Sequence, residues 1–188
     1  MKKFLAGFML TALLPGAGAV EYTSVQPEKS QITFVFKQMN VPVDGRFRKF
    51  NSTLAFNPAK PETAKVSLNI EMASIDTGSK EADEEAVGKQ WFNVKGFPSA
   101  SFVSGRVRSL GNNRYEVGGT LTIKGKAREV TTAVTYKPEG NTAAFDGGFS
   151  LKRADYAIGE GPWADFDTVG NEVLIKFRIT AASNTPRK

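Results

Sequence analysis

Arg114-Tyr115-Glu116-Val117-Gly118-Gly119-Thr120-Leu121-Thr122-Ile123 alternates between two kinds of side chain. Tyr115, Val117, Gly119, Leu121 and Ile123 share one face. Arg114, Glu116, Gly118, Thr120 and Thr122 share the other. Such period-two patterning marks a strand with one buried and one wet face. The same pattern recurs around Ile32, Phe34 and Phe36, around Val66, Leu68, Ile70 and Met72, and around Val173, Ile175, Phe177 and Ile179. Weaker versions cover Arg46–Phe56, Ala100–Arg108, Arg128–Tyr136 and Ala143–Leu151, which brings the expected count to eight strands. Asn57-Pro58, Gly111-Asn112-Asn113, Lys124-Gly125-Lys126 and Pro138-Glu139-Gly140-Asn141 supply the turns. Joints this short favour antiparallel pairing, because parallel strands need long crossovers.

One segment departs from the pattern. Ser79–Gly88 opens on a capping serine, carries acids in its early turns and ends on glycine, which predicts a short helix inserted after the third strand. Eight one-faced strands pack either as a two-sheet sandwich or as a closed barrel, and only the barrel removes its edges. An eight-stranded barrel is filled by its own side chains or holds one small ligand.

The inward set is rich in phenylalanine, of which the chain has 14. Phe34, Phe36, Phe50, Leu54, Phe56, Leu68 and Ile70 supply it from the first half. Gly119, Leu121, Ile123, Phe145, Phe149, Ile175 and Phe177 supply it from the second. A packed core and a cavity for an apolar ligand both satisfy this pattern. Gly119 and Gly147 remove volume from the inward face, which favours a cavity, and a leucine at position 119 is then expected to fit without loss of stability.

The chain has 188 residues, 25 Lys+Arg against 19 Asp+Glu, no cysteine and no histidine. That excludes disulfides, thiol nucleophiles, histidine-ligated haem, the usual zinc ligand sets and any Ser-His-Asp machinery. Neither a metal nor a cofactor is expected. Glu160, Asp165 and Asp167 around Trp163 could in principle serve a hydrolase acting on a lipid or glycan, but a solvated loop is the simpler account. The same loop lacks calcium-ligand spacing, since Val169 and Lys176 fall where acids belong. Arg46-Phe47-Arg48-Lys49-Phe50 mixes basic and aromatic residues, and a charge-decorated strand explains it better than a nucleic-acid surface. A net charge of +6 is too mild for that partner.

The first nineteen residues carry Lys2-Lys3, an apolar run from Phe4 to Leu14, and an A-x-A ending at Ala19. These are the parts of a cleavable signal peptide. The run covers only about half of the ~20 residues a spanning helix needs. Cleavage after Ala19, export to the periplasm and a single domain over residues 20–188 are expected.

Five motifs in order then resemble the YceI-like polyisoprenoid-binding family of exported bacterial proteins. They are Ser30-Gln31-Ile32-Thr33-Phe34; Gly45-Arg46-Phe47 leading to Phe50; Trp91-Phe92-Asn93 with Phe97-Pro98-Ser99-Ala100-Ser101-Phe102; Gly119–Gly125; and Lys152-Arg153-Ala154-Asp155-Tyr156. The resemblance runs from about Glu21 to Thr180. It implies an all-β, extended, lipocalin-like barrel of eight antiparallel strands with the short helix beside it. Trp91, Phe92 and Phe102 join the implied lumen lining, with Trp91-Phe92 and the helix covering one mouth. The implied ligand is a long isoprenoid lipid, a polyprenol or the tail of a quinone, held without catalysis. A membrane cytochrome b561-type partner is implied as well, and a monomer and a homodimer are both open readings of the barrel. The chain departs from the resembled pattern at Gln38, Val87 and Gln90, where members often carry a histidine, an arginine and an acid. The other classes are the hydrolase and a packed structural barrel that binds a protein partner.

Overall fold

The computed structural model describes residues 20–184. The expected leader lies outside them. One antiparallel sheet holds β1 (Tyr22–Val25), β2 (Gln31–Gln38), β3 (Val41–Phe47), β4 (Phe50–Ala55), β5 (Lys65–Glu71) and β6 (Ile75–Asp76). It continues through β7 (Ser99–Gly111), β8 (Arg114–Ile123), β9 (Lys126–Glu139), β10 (Thr142–Lys152) and β11 (Glu172–Ser183). The central strand pattern is as the alternation requires: Leu121 lies opposite Phe102, and Tyr115 opposite Val134.

The sheet has eleven strands, not eight. β1 and β6 are four and two residues long, too short to show a period. The expected strand Arg46–Phe56 is broken at Arg48-Lys49. There the Arg48 amide donates to the Ser74 carbonyl (3.0 Å), and the Lys49 carbonyl accepts from the Glu71 amide (3.1 Å). The first half therefore pairs with β2 and β6, the second with β5. β3 itself contains Pro42, Asp44 and Gly45, poor strand formers. It is folded back on β2 by Met39-Asn40, whose φ values of 49° and 64° are those of a tight hairpin turn with the sheet's own twist.

The strand order is β4-β5-β7-β8-β9-β10-β11-β2-β3-β6. Its two ends are covalent neighbours, since β3 runs into β4 and β5 into β6. The sheet therefore curls round into a lipocalin-like barrel. β1 reinforces the seam: it pairs with the end of β11, and Tyr22 exchanges backbone hydrogen bonds with Phe56 (2.9 and 3.1 Å). One short helix, α1 (Lys80–Ala86), follows β6, the two-residue strand that comes after the Val66–Met72 stretch, now β5. The Ser79 hydroxyl caps it by accepting from the Ala82 amide.

Two ends of the barrel differ. At one, Tyr22, Phe56, Tyr115, Tyr136 and Phe145 pack edge-on or tilted, with ring centroids 5.0–6.3 Å apart. Such edge-to-face geometry is favoured by the ring quadrupoles. At the other, α1 lies across the opening, and Ala86 packs with Phe34 and Ile75.

Candidate ligand cavity

Between those ends the barrel is hollow. A cavity of about 610 Å³ runs through it, within the range of small-molecule sites. Leu54, Phe56 and Phe145 line it towards the aromatic end. Leu68, Ile70, Phe102, Leu121, Ile123, Phe149 and Phe177 form its waist. Phe34, Phe36, Ile175, Trp91 and Phe92 line it towards α1. The lining residues that are also solvent-exposed are Gln38, Ser79, Glu81 and Glu85, so the mouth lies beside α1.

Two expected lining residues do not line it. Phe50, just past the bend at Arg48-Lys49, packs half-buried against the waist cluster and borders a separate crevice with Arg46, Phe47, Arg48 and Lys49. Phe47, before the bend, lines the cavity. Gly119 is not a widening of the lumen. A Cβ there would lie 2.7 Å from Phe102 Cζ and 2.8 Å from Ser104 Cα, and would overlap the Val103 carbonyl. Gly45 and Gly147 are covered in the same way by the rings of Phe34 and Phe177, their partners across the ladder. Glycine here lets a phenylalanine lie flat on the wall, a known rescue of strand glycines. Gly119→Leu is therefore expected to lose about 1–3 kcal/mol through overpacking. Urea melts of lipid-free protein would show it, and unchanged stability would mean that the Phe102 ring and the backbone at Val103-Ser104 both move aside at little cost.

The mouth is organised by a side chain that sequence patterning does not single out. Arg153 is 2% exposed and lines the cavity. Its Nε donates to the Gly170 carbonyl (3.2 Å). Nη1 donates to the carbonyls of Ile158 (2.8 Å) and Gly159 (3.0 Å), and Nη2 to those of Trp163 (2.7 Å), Asp165 (2.8 Å) and Val169 (2.9 Å). The guanidinium lies 5.4 Å from the Trp91 ring centre and 5.0 Å from that of Phe166. Desolvation lowers its pKa from the ordinary value, with the Asp165 charge acting in the opposite sense. Arginine stays charged all the same. The Trp163 ring lies tilted against that of Trp91, centroids 5.4 Å apart, and its indole N–H donates to Glu85 (2.9 Å), tying the loop to α1.

The acids of that loop do not converge. Glu160 accepts from Lys124 Nζ (2.8 Å), and this bond with the lysine's charge holds its pKa below the usual carboxylate value. Asp165 accepts from the Asp167 amide (2.6 Å). None of the three lines the cavity.

A profile described as the YceI-like domain matches residues 23–181. A UPF0312 protein of Azotobacter vinelandii is 34% identical over 169 residues, covering 84% of this chain and 88% of that one. The crystal structure of BcnA from Burkholderia cenocepacia is 43% identical, with a TM-score of 0.83 over 85% of this chain and 100% of that chain. A protein from Saccharophagus degradans, described as a polyisoprenoid binding domain implicated in plant cell wall breakdown, has a TM-score of 0.66 at 15% identity. It covers 87% of this chain and 99% of its own. With the profile spanning nearly every strand of the barrel, the chain belongs to the YceI-like family.

Proposed function

We propose that this protein is a periplasmic, non-catalytic carrier that holds a long-chain isoprenoid lipid, a polyprenol or the tail of a quinone, in the barrel. The observation that carries this reading is the apolar cavity, plugged by aromatic rings at one end and edged by polar residues at the other. That shape suits a tail inserted first, with its head left at the mouth. The polyisoprenoid-binding description of the Saccharophagus degradans structure supports the ligand class.

The energetics limit the role. Removing a CH₂ from water is worth about 0.8 kcal/mol, but a lipid drawn from a bilayer was already out of water. The barrel has to equal the bilayer and shield the tail in transit. That suits a shuttle delivering to a membrane partner, of the cytochrome b561 type in this reading.

Protein purified from the periplasmic fraction without detergent should have the mass of a chain beginning at Val20. Organic extraction should then release an isoprenoid in roughly stoichiometric amount. If extraction yields nothing, and added quinone fails to raise the melting temperature as a native-state ligand must, the carrier reading fails.

A further inference from the structure

The crevice beside the bend at Arg48-Lys49 measures about 1030 Å³. The ladder register shows how its rim is built. Gln31 and Thr33 are out of phase with the inward Ile32 and Phe34, and Thr33 faces Arg46 across β2 and β3. Asn51 on β4 lies opposite Asn69 on β5, and Glu71 opposite Ser99 on β7. All of these line the crevice, together with the half-buried rings of Phe47 and Phe50.

Two guanidiniums share one anchor there. Asp76 Oδ2 accepts from Nε of Arg46 (2.7 Å) and of Arg48 (3.0 Å), and Arg48 Nη2 lies 2.9 Å from the same oxygen. One carboxylate thus holds two like charges side by side and offsets only one of them. Both Nη groups of Arg46 and Nη1 of Arg48 have no partner among the described residues. Planar forks of this kind match the paired oxygens of carboxylate and phosphate. The surrounding charges keep the same sign. Lys49 and Glu71, 3.6 Å apart, both line the crevice. On its flanks Lys176 lies opposite Thr33, and Glu28 and Lys29 offset each other beside Ser30. Arg178, opposite Gln31, is bound to Asp146, which Lys137 also engages. Cations therefore outnumber anions, and a cleft of one sign concentrates ligands of the other.

The neutral groups narrow the ligand further. The side chains of Gln31, Thr33 and Asn51 hold no hydrogen bond among the described residues. Carboxamides and hydroxyls both donate and accept, as the hydroxyls of a sugar do. A lone phosphate would leave most of these groups and most of the space unused.

We propose that this crevice binds an anionic oligosaccharide, with the free guanidinium edges of Arg46 and Arg48 on its acidic group and the carboxamides of Gln31, Asn51 and Asn69 on its hydroxyls. Phe47 and Phe50 offer carbon to the C–H face of a sugar ring. A uronic carboxylate and a phosphate ester present the same paired oxygens, so either source of charge meets the requirement. Asp76 is the positioning residue. The site does not depend on what the barrel carries.

The test titrates purified protein with tetragalacturonate, monophosphorylated maltotetraose, plain maltotetraose, inorganic phosphate and tetraglutamate, read by calorimetry. At least one acidic sugar should bind at least about tenfold more tightly than each of the other three probes, the range of a charge-assisted hydrogen bond. Comparing the two acidic sugars tells whether carboxylate or phosphate is the better source. Arg46→Gln with Arg48→Gln should weaken that sugar at least about tenfold, whereas Lys37→Gln with Lys89→Gln, which removes equal charge from exposed positions outside the crevice, should leave it unchanged. Asn51→Ala should weaken the acidic sugar by about three- to tenfold, as loss of one neutral hydrogen bond does, and leave inorganic phosphate unaffected. On wild-type protein the Nε–H resonances of Arg46 and Arg48 and the carboxamide resonances of Asn51 and Asn69 should move with the acidic sugar. That arm does not depend on any variant folding. Resonances that stay in place overturn the proposal, as do equal losses in the two charge variants. Tetraglutamate or inorganic phosphate binding as tightly as the sugars would replace the glycan site with a peptide or simple anion site, and binding of no probe would leave only a charged surface.

Discussion

Arg153→Met is expected to destabilise the lipid-free protein by about 3–5 kcal/mol, the equivalent of two or three buried carbonyls left without a donor. The expectation follows from what the guanidinium holds. Six carbonyls from residues 158, 159, 163, 165, 169 and 170 converge on one buried side chain. Those residues belong to the loop between β10 and β11, whose own secondary structure is limited to short 3-10 turns. Methionine matches the length and the apolar stem but offers no donor. Each stranded carbonyl then costs about 1–3 kcal/mol unless water reaches it, and opening the loop to water lessens the total by giving up the packing of Trp163 and Phe166. Arg153→Lys is expected to recover only a fraction, since an ammonium has three donors and no planar fork to lie between Trp91 and Phe166. Urea denaturation gives the magnitude. Hydrogen exchange at the Gly159 and Glu160 amides, which donate to the Gln90 carbonyl (both 2.9 Å), gives the location. A loss below about 1 kcal/mol, or protection at those amides equal to wild type, would show that the loop is ordered without Arg153.

The strands with strict alternation were legible because their side chains answer to one variable, the side of the sheet. β5, β8 and β11 appear with the faces that Leu68, Leu121 and Ile175 imply. β3 was not legible. Its pairing is imposed by the Met39-Asn40 turn and by β2, and Pro42, Asp44 and Gly45 speak against a strand locally. The bend at Arg48-Lys49 is likewise tertiary: its backbone groups bond Ser74 and Glu71, over twenty residues away. That bend explains why Phe47 reaches both the cavity and the crevice beside the bend, while Phe50, in phase with Leu54, borders the crevice alone.

The cavity lining was mostly readable, the polar mouth hardly at all. Period two states that Gly119 faces inward, but cannot state that the Phe102 ring of the adjacent strand lies over it. Arg153 stood in one of the motifs that carried the family resemblance, yet nothing in its local sequence distinguishes a buried guanidinium from a surface one. Its partners are carbonyls, and every residue has a carbonyl. Trp163 and Glu85 are 78 residues apart, and their hydrogen bond exists only once α1 meets the last loop.

Tyr22→Ala should cost as much as the loss of a core phenylalanine, about 3–5 kcal/mol, although Tyr22 lies in a strand of only four residues at the start of the described chain. The side chain is fully buried. Its ring meets Tyr136 and Phe145 at centroid distances of 5.7 and 6.2 Å, and its oxygen accepts from the Tyr136 hydroxyl at 3.0 Å. The backbone of the same residue closes the seam between β11 and the end of β4. Alanine preserves that backbone pairing, so the loss isolates the ring. Tyr22→Phe separates the remaining contribution: it deletes the hydroxyl bond alone and should cost about 0.5–1.5 kcal/mol. The two variants also bear on the cavity. Phe56 and Phe145, the neighbours that would relax into the vacated space, line its closed end. Tyr22→Ala should therefore loosen the plug and speed release of a bound tail, while Tyr22→Phe leaves release at the wild-type rate. Equal stability losses in the two variants would assign the effect to the hydroxyl. A loss near zero for Tyr22→Ala would mean that the barrel is closed at this end by Phe56, Tyr115, Tyr136 and Phe145 without the ring that β1 contributes.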